Sequence, residues 1–258
     1  MKNKITRIPY GLNVYNNEEI NAVLKTLKNS TQMGKAVNVF ENKISKLFSK
    51  KYGLMVNSGS SALLLALKAV NFKKGSEIIV PCLNFGTAIS SITLSNLVPI
   101  FVDCEIDTLQ IDISKIEKKI TKKTKALLIP NLIGNLPNWK KIRQIANKHN
   151  LLVMEDSADT LGATINSRPS GIYSDISITS FYGSHIITCA GNGGFVGFNN
   201  KKSFLKAKLL RSWGRRSSLY DGKSETIKNR FGTKISNIPY DKKFIFDEIG
   251  YNLEPSEI

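Results

Sequence analysis

Leu151-Leu152-Val153-Met154-Glu155-Asp156-Ser157-Ala158-Asp159 joins a short apolar run to an acidic turn. A run of this length bounded by polar turn residues predicts a buried strand, and the amphipathic residues 139–149 before it predict a helix. With the apolar run at 126–129 they make one strand, helix, strand unit. The rhythm repeats upstream, where 54–56 leads into a helix at 62–70, 77–80 into 86–94, and 99–102 into 113–120. Such alternation predicts an α/β fold, a mainly parallel sheet with helices on both faces. Ahead of it, Ile20, Val23, Leu24 and Leu27, then Phe40, Ile44 and Leu47, recur at helical spacing. They predict two amphipathic helices joined by Ser30-Thr31-Gln32-Met33-Gly34. Downstream, 176–179 and 195–198 read as strands and 203–211 as a helix, followed by a polar loop, irregular by pattern, to about residue 242.

The 258 residues suffice for one large α/β domain, and no linker, repeat or low-complexity block divides them. An apolar fraction of 41% and a charged fraction of 22% predict an ordinary soluble globular protein. No apolar run approaches a membrane span, and the basic start Met1-Lys2-Asn3-Lys4-Ile5-Thr6-Arg7 lacks the apolar core of a signal peptide, so a cytoplasmic location is expected. Cys82, Cys104 and Cys189 are few, odd in number and without ligand spacing, which predicts reduced thiols and no metal. The net charge of +17 would attract polyanions. Yet the lysines are spread along helices, as at Lys115, Lys118, Lys119, Lys122 and Lys123, and no nucleic-acid-binding module accompanies them. Solvated helix faces are expected, with no nucleic-acid partner.

In parallel sheets ligands gather beyond the carboxyl ends of the strands, and the polar clusters fall there. Asn57-Ser58-Gly59-Ser60-Ser61 follows one strand, Asn84-Phe85-Gly86 another, Asp156 a third, and Ser180 closes a fourth. Each has a plain reading beside the functional one. Gly59-Ser60-Ser61 is a serine-capped helix start or an anion site. Phe85 packs or stacks on a ring. Asp156 ends a turn or pairs with a ring nitrogen. Of two histidines, His149 ends a lysine-rich helix, where an imidazole suits the dipole. His185, in Ser184-His185-Ile186, is a structural histidine or an acid and base near neutral pH.

As a set, Asn57-Ser58-Gly59-Ser60-Ser61-Ala62-Leu63, Glu155-Asp156-Ser157-Ala158-Asp159-Thr160-Leu161-Gly162-Ala163, Ser180-Phe181-Tyr182, Gly193-Gly194 and Gly250-Tyr251-Asn252 resemble the DegT/StrS family of sugar aminotransferases dependent on pyridoxal 5'-phosphate (PLP). The similarity runs from about Tyr10 to Ile258 and implies the large domain of the aspartate aminotransferase fold type I, preceded by an N-terminal segment, across residues 1–258. The family's small C-terminal domain is missing, so a fragment is expected. By the resemblance Gly59, Ser60 and Ser180 hold the cofactor phosphate, Phe85 stacks on the ring and Asp156 meets the pyridine nitrogen. Asp159 takes the place of a glutamine near the cofactor hydroxyl, and Tyr182 and Arg215 contact substrate. Asn252 would reach the phosphate of a neighbouring subunit, which implies a homodimer with shared active sites.

Family aminotransferases carry a lysine five residues after the serine of Ser180-Phe181; here His185 stands there. That replacement, with Ser212-Trp213-Gly214-Arg215, resembles the nucleotide-sugar 3-dehydratases. Imidazole cannot hold the cofactor covalently as lysine does. The implied activity is C3 dehydration of a nucleotide-linked 4-keto-6-deoxyhexose in surface-polysaccharide synthesis, using PLP and pyridoxamine 5'-phosphate. In this scheme His185 removes the C4' proton and assists loss of the C3 hydroxyl. Arg216-Ser217-Ser218-Leu219-Tyr220-Asp221-Gly222-Lys223-Ser224 has no cysteine, so glutamate as amino donor is expected rather than the iron-sulfur route of the ascarylose type. Two departures touch the ring edge: an extra residue between His185 and Gly193-Gly194, and Asn192 where an acid is common. The alternatives are a nucleotide-sugar aminotransferase and an inert PLP-fold binding or regulatory protein.

Overall fold

Asn16 opens the first helix, α1 (Asn17–Asn29), with a reciprocal cap. Its side chain accepts the Glu18 N–H, and the Glu19 carboxylate accepts the Asn16 N–H, so amides that a helix start leaves unpaired are satisfied. The second helix, α2 (Lys35–Leu47), begins at Gly34, which has no side chain to cap it. The Glu257 carboxylate does so from far along the chain, accepting the N–H groups of Gly34, Ala36 and Val37 at 2.6, 2.5 and 3.2 Å. The computed structural model describes residues 8–9, 11–12, 14–220 and 227–258. The basic start at 1–7, Tyr10 where the family likeness begins, and residues 221–224 of the cysteine-free loop lie outside the described residues.

The expected alternation follows as β1 (Tyr52–Val56), α3 (Gly59–Val70), β2 (Glu77–Pro81), α4 (Gly86–Leu94), β3 (Val98–Val102), α5 (Ile113–Ile116), β4 (Thr124–Pro130), α6 (Trp139–Lys148) and β5 (Leu152–Asp156). A two-stranded ribbon, β6 (Thr164–Ile165) with β7 (Arg168–Pro169), precedes β8 (Ile176–Ser180), β9 (Gly194–Phe198) and α7 (Lys201–Arg211). The seven-stranded sheet has the order β1-β9-β8-β5-β4-β2-β3. It is parallel from β8 through β3, while β9 runs antiparallel to both of its neighbours. The β8 to β9 connection carries no crossover helix, so the chain returns in the opposite direction. The architecture is therefore a mainly parallel sheet between helical layers, as the expected fold class requires.

Alternation along the central strands separates two cores. Ile79, Leu127, Ile129 and Val153 pack with Ile111, Trp139 and Ile142 on the α6 side. Ile78, Val80, Leu128, Met154 and Ile178 pack with Leu65, Ala66 and Ile92 of α3 and α4. At the β1 and β9 end, Met55 and Phe195 join Val37, Ile44 and Phe48 beneath α2.

Two expectations change. The helix expected at 113–120 ends at Ile116 and tightens into a 3-10 turn at Glu117–Lys119, since Glu117-Lys118-Lys119 has no apolar side chain to bury. The stretch expected to be irregular to residue 242 contains α8 (Ile227–Arg230) and a hairpin of β10 (Thr233–Ile235) with β11 (Ile238–Tyr240). Ser236 and Asn237 turn that hairpin with φ of 50° and 67°. The three cysteines are free. Among the described residues no helix is long and apolar enough to cross a membrane, and no cluster of acidic, histidine and cysteine side chains has a metal-binding arrangement.

Candidate active site

The carboxyl ends of β1, β5 and β8 lie on one edge of the sheet, together with the start of the antiparallel β9. Ser58 caps α3 by accepting the Ser61 N–H at 3.1 Å. The first N–H groups of that helix, at Gly59 and Ser60, have no carbonyl a turn earlier to meet, so they present donors and partial positive charge to the edge. Ser180 comes against Gly59 so closely that a Cβ on Gly59 would lie 2.6 Å from the Ser180 Cβ. Gly194 likewise lies under Ser58, where a Cβ would fall 2.2 Å from its carbonyl oxygen. Only glycines allow β9 and α3 to close on Ser180. The three residues expected to hold a phosphate are thus gathered.

Asp156 ends β5 and is 7% exposed. Burial pushes its carboxyl up to about 6; the hydrogen bond from the Ala158 N–H opposes the rise, and the charges of Asp159 and Glu155 add to it. A cationic ring nitrogen would relieve this. Phe85, at the start of α4, is 73% exposed, an apolar face left open at the end of β2. Asn84 beside it accepts the Phe85 N–H at its Oδ1, while its Nδ2 is buried without a partner among the described residues.

His185 lies in the loop between β8 and β9, where its N–H meets the Tyr182 carbonyl at 2.9 Å. Its Nε2 is 4.0 Å from Asp159 Oδ1, its Nδ1 is buried with no partner among the described residues, and its ring meets the Tyr182 ring edge-on at 5.9 Å. Asp159 also accepts the Ile133 N–H at 3.3 Å. The N-terminal segment lies over this loop, with the Tyr15 hydroxyl 2.5 Å from Thr188 Oγ1 and Gly11 against Ser184. Cys189 packs under Gly193 with its thiol pushed up to about 11 by burial, unsuited to act as a nucleophile. His149 is separate, at the end of α6, with Nε2 2.8 Å from Glu117.

Two expected site residues are not brought into this set. Arg215 stacks its guanidinium over Trp213 at 4.8 Å and lines a groove along the outer side of β1, beside Tyr52, Gly53 and Leu54. Asn252 is exposed, bridged by its backbone to Ser212, and its side chain makes no hydrogen bond among the described residues.

The acidic turn also divides in a way its spelling hides. Glu155 is fully buried on the opposite side of β5 from Asp156, and its carboxylate accepts from Asn131, Ser157, Ser170, Ser174 and Ser177. Lys50 is buried nearby, its ammonium donating to the carbonyls of Gly171 and Ser174 and held down at about 8 by burial. Sequence reading missed Asn131 and this network. The available signal was Asn131 following an apolar strand run on the same edge.

An anion site at a helix start, a buried acid, an exposed aromatic face and an imidazole with a free nitrogen suit a phosphorylated pyridine ring. The profile of the DegT/DnrJ/EryC1/StrS aminotransferase family matches residues 13–239. Lipopolysaccharide biosynthesis protein RfbH of Salmonella typhimurium is 35% identical over 87% of this chain and 54% of its own length. GDP-perosamine synthase of Escherichia coli O157:H7 is 37% identical over 70% of this chain and 50% of its own. The chain thus spans about half the length of these curated relatives. Among solved structures, GDP-4-keto-6-deoxy-D-mannose-3-dehydratase of E. coli with bound hydrated PLP superposes with a TM-score of 0.85, at 30% identity, over 98% of this chain and 65% of that one.

Proposed function

The chain belongs to the DegT/DnrJ/EryC1/StrS aminotransferase family, and on that premise we propose that it serves C3 deoxygenation of a nucleotide-linked 4-keto-6-deoxyhexose for surface-polysaccharide synthesis. The observation that carries the reading is the His185 imidazole 4.0 Å from Asp159; by the sequence resemblance it stands where the family's aminotransferases carry a lysine. The bound cofactor supplies an electron-withdrawing pyridine ring to the sugar carbons. Gly59, Ser60 and Ser180 fix its phosphate, Phe85 covers one face, and Asp156 keeps the ring nitrogen protonated. His185 moves the proton at C4' and delivers one to the departing C3 hydroxyl. Asp159 stands 4.0 Å from that ring. Tyr182, exposed beside His185, contacts substrate. Glutamate supplies the amine, in keeping with a loop after Arg215 that has no cysteine. The balance is sugar plus glutamate giving 3-deoxy sugar, ammonia and 2-oxoglutarate. The working unit is a homodimer in the cytoplasm, with Asn252 at the neighbouring subunit's cofactor phosphate.

The 37% identity to a perosamine synthase favours a second reading, transamination of the same substrates. Incubation with PLP, glutamate and a panel of GDP- and CDP-4-keto-6-deoxyhexoses separates the two. Deoxygenation yields ammonia and a 3-deoxy sugar in equal amounts. An amino sugar without ammonia, or a cofactor that borohydride fixes to the chain, overturns the proposal.

A further inference from the structure

We infer that Asn131 is a positioning residue for the acidic turn, setting the Asp156 carboxylate and the Asp159–His185 pair in register; the inference rests on the reading above. Asn131 follows β4 and is 1% exposed, and its hydrogen-bonding groups all engage. Its Nδ2 donates to Glu155 Oε1 at 3.0 Å and to Ser157 Oγ at 2.8 Å. Its Oδ1 accepts the Trp139 indole N–H at 2.8 Å, which fixes which way the amide faces. Its backbone N–H donates to the Asp156 carbonyl at 2.8 Å, and its carbonyl accepts the Thr160 hydroxyl at 3.0 Å.

One side chain and its peptide therefore bind Glu155, Asp156, Ser157 and Thr160, all but two residues of the turn. Of those two, Asp159 is held by the N–H of Ile133, two residues beyond Asn131, in a backbone turned to φ 57°. A primary amide has one acceptor and a two-proton donor in a plane, as this junction requires. An acid in its place would set a second carboxylate against Glu155, and a shorter side chain would leave the buried Trp139 indole N–H without its acceptor and take one donor from Glu155. The supporting shell of a site has to be this tight, because a small displacement of the acid or base loses much of the rate.

The test compares wild type with Asn131→Ser and with Trp139→Phe, which removes only the indole N–H and keeps the ring. Circular dichroism selects folded protein, PLP affinity is read by fluorescence titration, and kcat and KM are measured separately. For Asn131→Ser the PLP Kd should rise about tenfold or more and kcat fall by a similar factor, with the sugar KM within about twofold. Trp139→Phe should move both in the same direction by less. Folded variants that bind PLP like wild type and turn over normally overturn the inference alone. A wild type that binds no PLP overturns both it and the proposed function.

Discussion

At the scale of single residues, Asp156 sets stability against function. Its carboxyl is raised from 3.8 to about 6, so between these values the unfolded chain gives up the proton while the folded one keeps it. Stability without cofactor is then full below pH 3.8, falls as pH rises through this window, and stays lower above 6. Asp156→Asn removes that loss. It should raise the stability of the cofactor-free protein at pH 7 by on the order of 2–3 kcal/mol and flatten its pH dependence, seen by urea unfolding at pH 4 and 7, while weakening PLP binding. His185→Asn should lower deoxygenation by about 100-fold or more with PLP affinity nearly kept, measured by ammonia release and cofactor titration. The residues of the edge could be read from sequence because each follows an apolar run. What spelling could not convey is that neighbours in Glu155-Asp156 face opposite sides of a strand, one into a hydroxyl network and one toward the site.

At the scale of elements, β1 is an edge strand protected by side chains. Glu41 accepts the Met55 N–H at 2.8 Å, and Arg211 donates to the Met55 carbonyl at 2.9 Å and to Glu41 at 2.8 Å. This pair of a buried Arg211 and a part-buried Glu41 closes an edge that would otherwise template another strand. Arg211→Met should cost about 2–4 kcal/mol by leaving the part-buried Glu41 without its cation, and adding Glu41→Leu should recover part of it, a coupling that a double-mutant cycle in urea would expose. Strand and helix periodicity disclosed most elements, since each buries its own face. It could not disclose β9 slipping antiparallel between β1 and β8, because that depends on partners distant in sequence. The β10 and β11 hairpin was missed although Ser236-Asn237 between Ile235 and Ile238 marks its turn.

At the scale of the whole molecule, an exposed Asn252 and the helix α1 bear on the proposed homodimer. No residue of α1 is buried, and its stripe of Ile20, Leu24 and Leu27 is about half exposed. If Asn252 serves the neighbouring cofactor, two single variants can repair one another. His185→Asn and Asn252→Ala should each be nearly inactive as homodimers. In a mixed dimer one site carries both lesions and the other carries neither. Random reassortment makes half of the dimers mixed, each with one intact site of two, so about a quarter of wild-type activity should return. Refolding the variants together at equal concentration and assaying ammonia release tests this. If Asn252 acts within its own chain, every site keeps one lesion and mixing restores nothing, which would place the asparagine at the structural bridge to Ser212 instead of at the phosphate.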